Sequence, residues 1–259
     1  MENETLIDYS RQAELDAFCM NQLKIKNHII VGCGGVGFWT GLMLAMNGCD
    51  NFALFDGDSV DRSNLNRLPL PIQFEGHNKA ITLRKAIKTL RPDALVTVYP
   101  LKLSKEDFEH YMVRKSSLSN IVWDTTDDAR IQAHMYKWCR KNRILYVKLG
   151  YDGFKTGAYR EYSIWFNDET YSPGYRRTVA NSMTSAMAAC LGIMYMGRCL
   201  RIHGNSGVDI GDLEVNIDEL INTALEKHST NNNNEATEEE DNEEEEEEYD
   251  NEADEVYDR

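Results

Sequence analysis

No two cysteines in this chain are spaced to share a metal in the usual way. The six, at 19, 33, 49, 139, 190 and 199, are scattered, and no CxxC pair occurs. A four-thiolate zinc site of ordinary spacing is thus absent, and no structural zinc is expected. Dispersed thiols fit a reducing compartment, so the expectation is a cytoplasmic protein. Long apolar runs are lacking too. The longest, Met183 to Met196, is broken by Thr184 and Ser185 and is too short to cross a bilayer. No membrane partner is expected, and no internal repeat is evident.

Net charge is also missing from most of the chain. Residues 235–259 hold sixteen acidic side chains against Arg259 alone, which leaves 27 acidic and 27 basic groups of the total 43 and 28 for the rest. A neutral body offers no positive field for DNA or RNA, so direct nucleic-acid binding is not expected. The acidic segment has almost nothing apolar to bury and repels itself, and Asn231 to Asn234 precede it. Residues 229–259 therefore read as a disordered acidic tail behind a domain spanning 1–228. Such a tail reads as a solubilising appendage or as a ligand for a basic partner.

The body, by contrast, is rich in strand and helix signals. An amphipathic helical pattern covers 5–25. Strands are expected at 28–31, 52–55, 95–98, 121–123 and 145–149, and helices at about 35–47, 77–90, 104–112 and 129–142. This alternation predicts an α/β fold, a Rossmann-like doubly wound, mostly parallel sheet. After residue 150 the pattern changes. Residues 159–166 partly alternate and predict antiparallel C-terminal strand material, 181–200 a small-residue helix, and 213–217 another strand, with Asp218 as a cap for a last helix.

The stretch IIVGCGGVGFW, from Ile29 to Trp39, predicts a strand, a tight turn and a helix that together cradle a phosphate. Gly32, Gly34 and Gly37 satisfy the dinucleotide pattern, with Gly35 between them, and Asp56 follows where a ribose would be gripped. An NAD enzyme is the first reading. The next loop argues against it. Within twelve residues it offers Asp56, Asp58, Asp61 and then Ser63-Asn64-Leu65-Asn66-Arg67, and Lys79 follows as a mobile cation. Asp124 closes a strand, with Asp127 and Asp128 in the turn beyond. Cations beside a glycine turn clamp second and third phosphates, and nearby carboxylates suit magnesium. Hydride transfer needs neither.

Five stretches together carry a resemblance: DYSRQ (8–12), GCGGVG (32–37), DGDSVDRSNLNR (56–67), GHNKA (76–80) and DTTDD (124–128). In this order and at about this spacing, the chain resembles the ThiF/MoeB adenylyltransferases, the superfamily that includes ubiquitin-activating enzymes. The resemblance covers about residues 5–165. It implies ATP and Mg2+ as cofactors and adenylation of a carboxylate. The usual substrate is the C-terminal glycine of a small ubiquitin-fold protein or a peptide, and pyrophosphate leaves. It also implies Asp56 on the ribose, Asn64 and Arg67 on the phosphates, and Lys79 at the transferring region. Asp127 would hold the metal. Arg11 is similar to an arginine that acts in trans in dimeric members, which implies a homodimer.

Two rivals stay open. One is a non-catalytic scaffold subunit of an activating-enzyme complex, and the other is adenylation of a non-protein carboxylate. The chain also departs from the family pattern. Leu68 stands where glutamine is common, and Asp128 where asparagine is common. No cysteine occurs between 150 and 189, where many relatives carry a thioester acceptor. Cys190 and Cys199 are expected to be buried in helix packing and inert, and Cys33 to face nucleotide or core. His134 and Trp138 read as packing, and Met183, Met187, Met194 and Met196 as core or dimer interface. Tyr175, Arg176 and Arg177 are candidates to touch a protein tail.

Overall fold

The expected alternation is present in a computed structural model, which describes residues 9–13, 20–114, 119–152, 155–159, 181–203, 213–217 and 219–223. Two short helices, α1 (Ser10–Ala13) and α2 (Met20–Lys24), precede β1 (Asn27–Val31). Then come α3 (Gly35–Met46), β2 (Asn51–Phe55), α4 (Lys79–Leu90), β3 (Leu95–Tyr99), α5 (Lys105–Arg114), β4 (Asn120–Asp124), α6 (Ala129–Lys141) and β5 (Leu145–Asp152). The series ends with β6 (Lys155–Tyr159), α7 (Ser182–His203) and β7 (Leu213–Asn216).

The seven strands lie in the order β3-β2-β1-β4-β5-β6-β7. The pairs β1–β2, β2–β3, β1–β4 and β4–β5 are parallel, whereas β5–β6 is antiparallel. The chain winds outward from β1 to β3, then returns to place β4 on the other side of β1. Between the C-terminal ends of β1 and β4 lies the topological switch point, where open α/β sheets bind ligands.

Both sheet faces are buried, which is why the central strands are mostly apolar. Ile30, Leu54, Trp123 and Val147 pack with Phe38, Leu83, Ile87 and Ala188 from α3, α4 and α7. Ile29, Val31, Phe55 and Val122 pack on the opposite face with Phe108, Met112, Ile131 and Met135 from α5 and α6. His28 is buried within the first of these layers. Its ring accepts the Trp123 indole N–H at Nδ1 (3.1 Å) and lies 3.1 Å from the Leu23 carbonyl at Nε2, so the neutral tautomer with Nε2–H satisfies both. Burial pulls its pKa down to about 4.

Helix boundaries follow side-chain caps. Asn78 accepts the Ile81 N–H at the start of α4, Ser104 accepts the Asp107 N–H at α5, and Asp128 accepts the Arg130 N–H at α6. Several expectations shift. Past Pro71 the chain makes a single 3-10 turn, Ile72–Phe74. An antiparallel strand not expected from the sequence occupies Lys155–Tyr159, and of the expected 159–166 strand residues 160–166 lie outside the described residues. Helical residues after β7 are capped by Asn216, whose side chain exchanges bonds with Glu219; Asp218, the expected cap, lies outside the described residues.

By length and composition α7 would suffice to cross a membrane. Instead it is core, with Thr184, Ser185, Ala188, Ala189, Ile193 and Met196 buried. Cys199 is buried on it as expected. Cys190 is exposed, because it falls on the outward stripe with Met183 and Met194, and its Sγ lies 3.5 Å from Met43 Sδ. The rest of the 5–25 helix, residues 167–180 with Tyr175, Arg176 and Arg177, and the tail 229–259 lie outside the described residues.

Candidate active site

Gly32 leaves β1 with a φ of +91°, a left-handed conformation that side chains rarely adopt. A Cβ on Gly37 would sit 1.9 Å from the Gly32 carbonyl oxygen, so only glycine lets α3 start this close to the strand. Gly34 is the N-cap of α3, with no side chain capping it and open space where a Cβ would project. The first turn of α3 therefore presents its N–H groups and the positive end of its dipole to the crevice. Cys33 faces the core and is fully buried, and burial raises its thiol pKa well above the ordinary value.

Asp56, at the end of β2, closes the other side of this turn. Its carboxylate accepts the N–H of Cys33 at 2.6 Å and that of Asp58 at 2.8 Å. Burial raises its pKa, while these two hydrogen bonds and the charge of Lys79 oppose the rise. A carboxylate has about four lone-pair sites, so two protein bonds leave capacity for hydroxyl donors. Lys79 is held rather than mobile. It is the first residue of α4, its N–H donates to the Asp58 carbonyl (2.9 Å), and its Nζ lies 3.4 Å from Asp58 Oδ2. Lys102 approaches the other Asp58 oxygen at 3.6 Å. Asp58 is thus a brace between two lysines.

The loop after β2 carries the remaining polar residues. Asp61 and Asn64 cap each other around a short turn, Arg62–Asn64. The Arg67 side chain lies over the start of α3, its Cγ and Cδ each 3.1 Å from the position a Gly35 Cβ would take. Arg67 Nη1 donates to the Ser63 carbonyl (2.8 Å) and to Asn66 Oδ1 (3.0 Å). Leu68, where glutamine is common among relatives, is buried in the core, so its side chain holds the loop down rather than facing a ligand.

Asp127 is exposed in the loop between β4 and α6. Thr125 fixes this loop to the glycine turn, its Oγ1 donating to the Gly32 carbonyl at 2.5 Å. Asp124, expected beside the metal, is instead fully buried and committed to the protein. It accepts Thr126 N–H and Oγ1–H on one oxygen and Tyr146 O–H (2.6 Å) on the other, with Lys148 Nζ 3.7 Å away. Lys148 Nζ and Gln132 Nε2 both donate to the Thr126 carbonyl. Sequence reasoning did not find this Lys148–Asp124–Tyr146 cluster, which holds the loop just before Asp127. Asp128 caps α6, its carboxylate accepting the Arg130 N–H.

Arg11 is not with the others. Its neighbours tie α1 to the far end of α3: Gln12 Nε2 donates to the Asn47 carbonyl (3.3 Å), and the Tyr9 ring packs beside Gly48 and under Lys24 Nζ. Arg91 donates to Tyr9 Oη at 3.0 Å. At 1.5 Å per residue, α3 separates this anchor from the glycine turn by about 18 Å, more than an extended arginine side chain spans.

A glycine turn at the switch point, with an acidic residue closing β2 and an arginine packed on the helix start, is the geometry against which known proteins can be set. The family model described as "ThiF family" matches residues 9–241. The chain belongs to the ThiF family. Among curated proteins it is 36% identical over 132 residues to the adenylyltransferase and sulfurtransferase MOCS3 of Drosophila virilis, covering 49% of this chain and 28% of that protein. To the tRNA threonylcarbamoyladenosine dehydratase of Escherichia coli it is 33% identical over 131 residues, covering 50% and 48%. The chain thus spans half or less of the length of these ThiF-family relatives. Among solved structures, Escherichia coli MccB with MccA-N7isoASN aligns at a TM-score of 0.65 and 16% identity, covering 81% of this chain and 72% of that one. The Escherichia coli dehydratase TcdA in complex with ATP aligns at 0.60 and 22%, covering 74% and 91%. Both place the chain in the ThiF-type α/β fold.

Among the described residues no three His, Cys, Asp or Glu side chains converge as a ligand set. A magnesium ion does not require one, since it commonly takes one or two carboxylates and completes its shell with substrate phosphates and water. The exposed Asp127 carboxylate, stapled through Thr125 to the glycine turn, fits that role.

Proposed function

We propose that this ThiF-family chain is an ATP-dependent adenylyltransferase that activates the C-terminal carboxylate of a small ubiquitin-fold protein or peptide. The product is an acyl-adenylate, and pyrophosphate is released. The observation that carries this reading is the placement of Arg67 against the open first turn of α3, with Asp56 and Lys79 on the adjoining strand end and helix start. A nicotinamide enzyme has no use for that arginine and lysine.

In this reading Asp56 holds the ribose hydroxyls, and the glycine-turn amides from Gly32 to Gly37 receive the phosphates. Asn64, Arg67 and Lys79 stabilise charge as it moves onto the departing pyrophosphate. Asp58 keeps Lys79 oriented. Asp127 would hold magnesium, which would supply Lewis-acid charge neutralisation when bound. The attacking carboxylate is already a nucleophile, so positioning and electrostatics suffice and no protein nucleophile is needed.

The placement of Arg11 supports a homodimer in which it serves the neighbouring site. Met46 of α3 and Met183 and Met194 of α7 are exposed, 60%, 67% and 44% respectively, on sides of the two helices joined at Met43 and Cys190. A second copy packed on this apolar face about a two-fold axis perpendicular to α3 would set α3 antiparallel to its copy. Each Arg11 would then lie beside the partner's glycine turn. We further propose residues 1–228 as the adenylation domain, 229–259 as an acidic appendage, and a cytoplasmic location.

A second reading, adenylation of a non-protein carboxylate, is favoured by the relatives named for a tRNA-linked substrate. The deciding experiment is ATP–pyrophosphate exchange with the purified protein, offered glycine-ended C-terminal peptides and small carboxylic acids. Exchange with peptides alone supports the lead and exchange with small acids the second reading. Silence with every acid overturns both in favour of a scaffold.

A further inference from the structure

Gly35 and Trp39 are one turn apart on α3, so they share a face of the helix. Both meet Arg67. The missing Gly35 side chain leaves the slot in which the Arg67 methylenes lie. One turn on, the half-buried Trp39 donates its indole N–H to the Arg67 main-chain carbonyl at 3.1 Å. The loop bonds here to itself: Arg67 N–H donates to the Asn64 carbonyl, and so does that of Leu68. These bonds fix the loop's amides but leave the Arg67 carbonyl to be satisfied from outside, and Trp39 does so. The guanidinium is bound only through Nη1, to Ser63 and Asn66. Nε and Nη2 have no hydrogen-bond partner among the described residues.

We infer that Trp39 is a positioning residue for nucleotide binding: by holding the Arg67 carbonyl it aims the Arg67 guanidinium at the outer phosphates beside the first turn of α3. The inference rests on the ATP reading above. It differs from a packing role in a specific way. Packing would serve the whole pocket, whereas aiming Arg67 serves only the phosphates that Arg67 reaches.

Two substitutions separate the indole's two properties. Trp39→Phe keeps an aromatic ring and loses the N–H. Trp39→His loses the benzo ring, but its Nε2–H falls close to where the indole N–H stood. Binding of ATP and of AMP to each full-length protein is measured by titration calorimetry, with thermal unfolding as the control for fold. One net hydrogen bond corresponds to about a three- to tenfold change in affinity. Trp39→Phe is expected to weaken ATP by that factor and to leave AMP, which lacks the outer phosphates, unchanged. Trp39→His is expected to bind ATP within about twofold of the wild type.

Equal weakening of ATP and AMP, equal losses in both variants, or unchanged ATP binding in Trp39→Phe would each overturn the inference. Failure of the wild-type protein to bind ATP would remove the nucleotide reading itself, and this inference with it. If Trp39→Phe does not fold, the comparison of ATP with AMP in Trp39→His still decides. Selective loss of ATP despite the retained N–H would rule out the proposed role, and retention of both ligands would support it.

Discussion

The Asp56 carboxylate accepts the Cys33 N–H at 2.6 Å, so the end of β2 is tied to the glycine turn that follows β1. That bond makes one residue both a brace for the turn and a candidate ribose ligand. Asp56→Ala leaves the buried Cys33 N–H without an acceptor, worth about 1–3 kcal/mol, and relieves the cost of a buried carboxylate. Nucleotide binding should therefore suffer more than stability. The expectation is at least a tenfold (~1.4 kcal/mol) weaker ATP affinity by calorimetry, with a smaller loss in urea unfolding free energy.

Arg67→Ala tests the proposed phosphate clamp. The side chain rests in the slot at Gly35 and its guanidinium bonds only within its own loop, so removing it should leave the fold intact. By analogy with lost oxyanion donors, the transition state should lose about 3–4 kcal/mol and pyrophosphate exchange should nearly vanish. Ordinary exchange by this variant would mean that the phosphates lie elsewhere.

Much of this was legible in the residues themselves. Apolar runs ending in Gly32, Asp56 and Asp124 located three strand ends, and Asn78, Ser104 and Asp128 stand where helices start. What escaped were contacts that join distant parts of the chain. Lys148 reads as one polar residue in an apolar strand, and only the parallel register that sets it opposite Asp124 shows its partner. β6 escaped because Lys155-Thr156-Gly157-Ala158-Tyr159 has small residues where an alternating pattern would show large ones. Cys190 was misjudged because α7 is apolar on nearly every side, so composition does not tell the outward stripe from the inward one.

The proposed sharing of each site across a dimer makes a complementation test available. Arg11→Ala and Arg67→Ala should each be inactive alone. In a mixed population half of the dimers are hybrids with one intact site, so activity should return to about a quarter of the wild-type level. No recovery after subunit exchange, shown by mass spectrometry, would argue that Arg11 does not act across a dimer.

Lys148→Met probes the buried cluster under the loop that carries Asp127. Asp124 is fully buried, and Lys148 gives it the one cation within 4 Å among the described residues. Removing one member of such a pair costs about 3 kcal/mol or more. The chemical unfolding midpoint should fall accordingly, and pairing Lys148→Met with Asp124→Asn should recover part of the loss.

Acid sensitivity should trace to His28. Its folded pKa is about 4, against 6.5 when unfolded. Above pH 6.5 it is neutral in both states and imposes no penalty. As pH falls from 6.5 toward 4 the unfolded chain takes up a proton that the folded chain refuses, so stability declines by about 3 kcal/mol and then levels off. Urea titrations across that window should show the decline in the wild type. A folded His28→Gln protein should lack this share of the slope, whatever its overall stability.

The helix from Gly35 to Met46 has the glycine turn at one end and the mount for the Arg11 helix at the other. A single inserted residue would advance everything beyond it by 1.5 Å and swing it by about 100°. Trp39 would then miss its carbonyl, and the arginine would arrive at the wrong bearing. Drift at its outward positions is tolerable; drift in its residue count is not. A census of length in this helix should therefore vary less than a census of its amino acids.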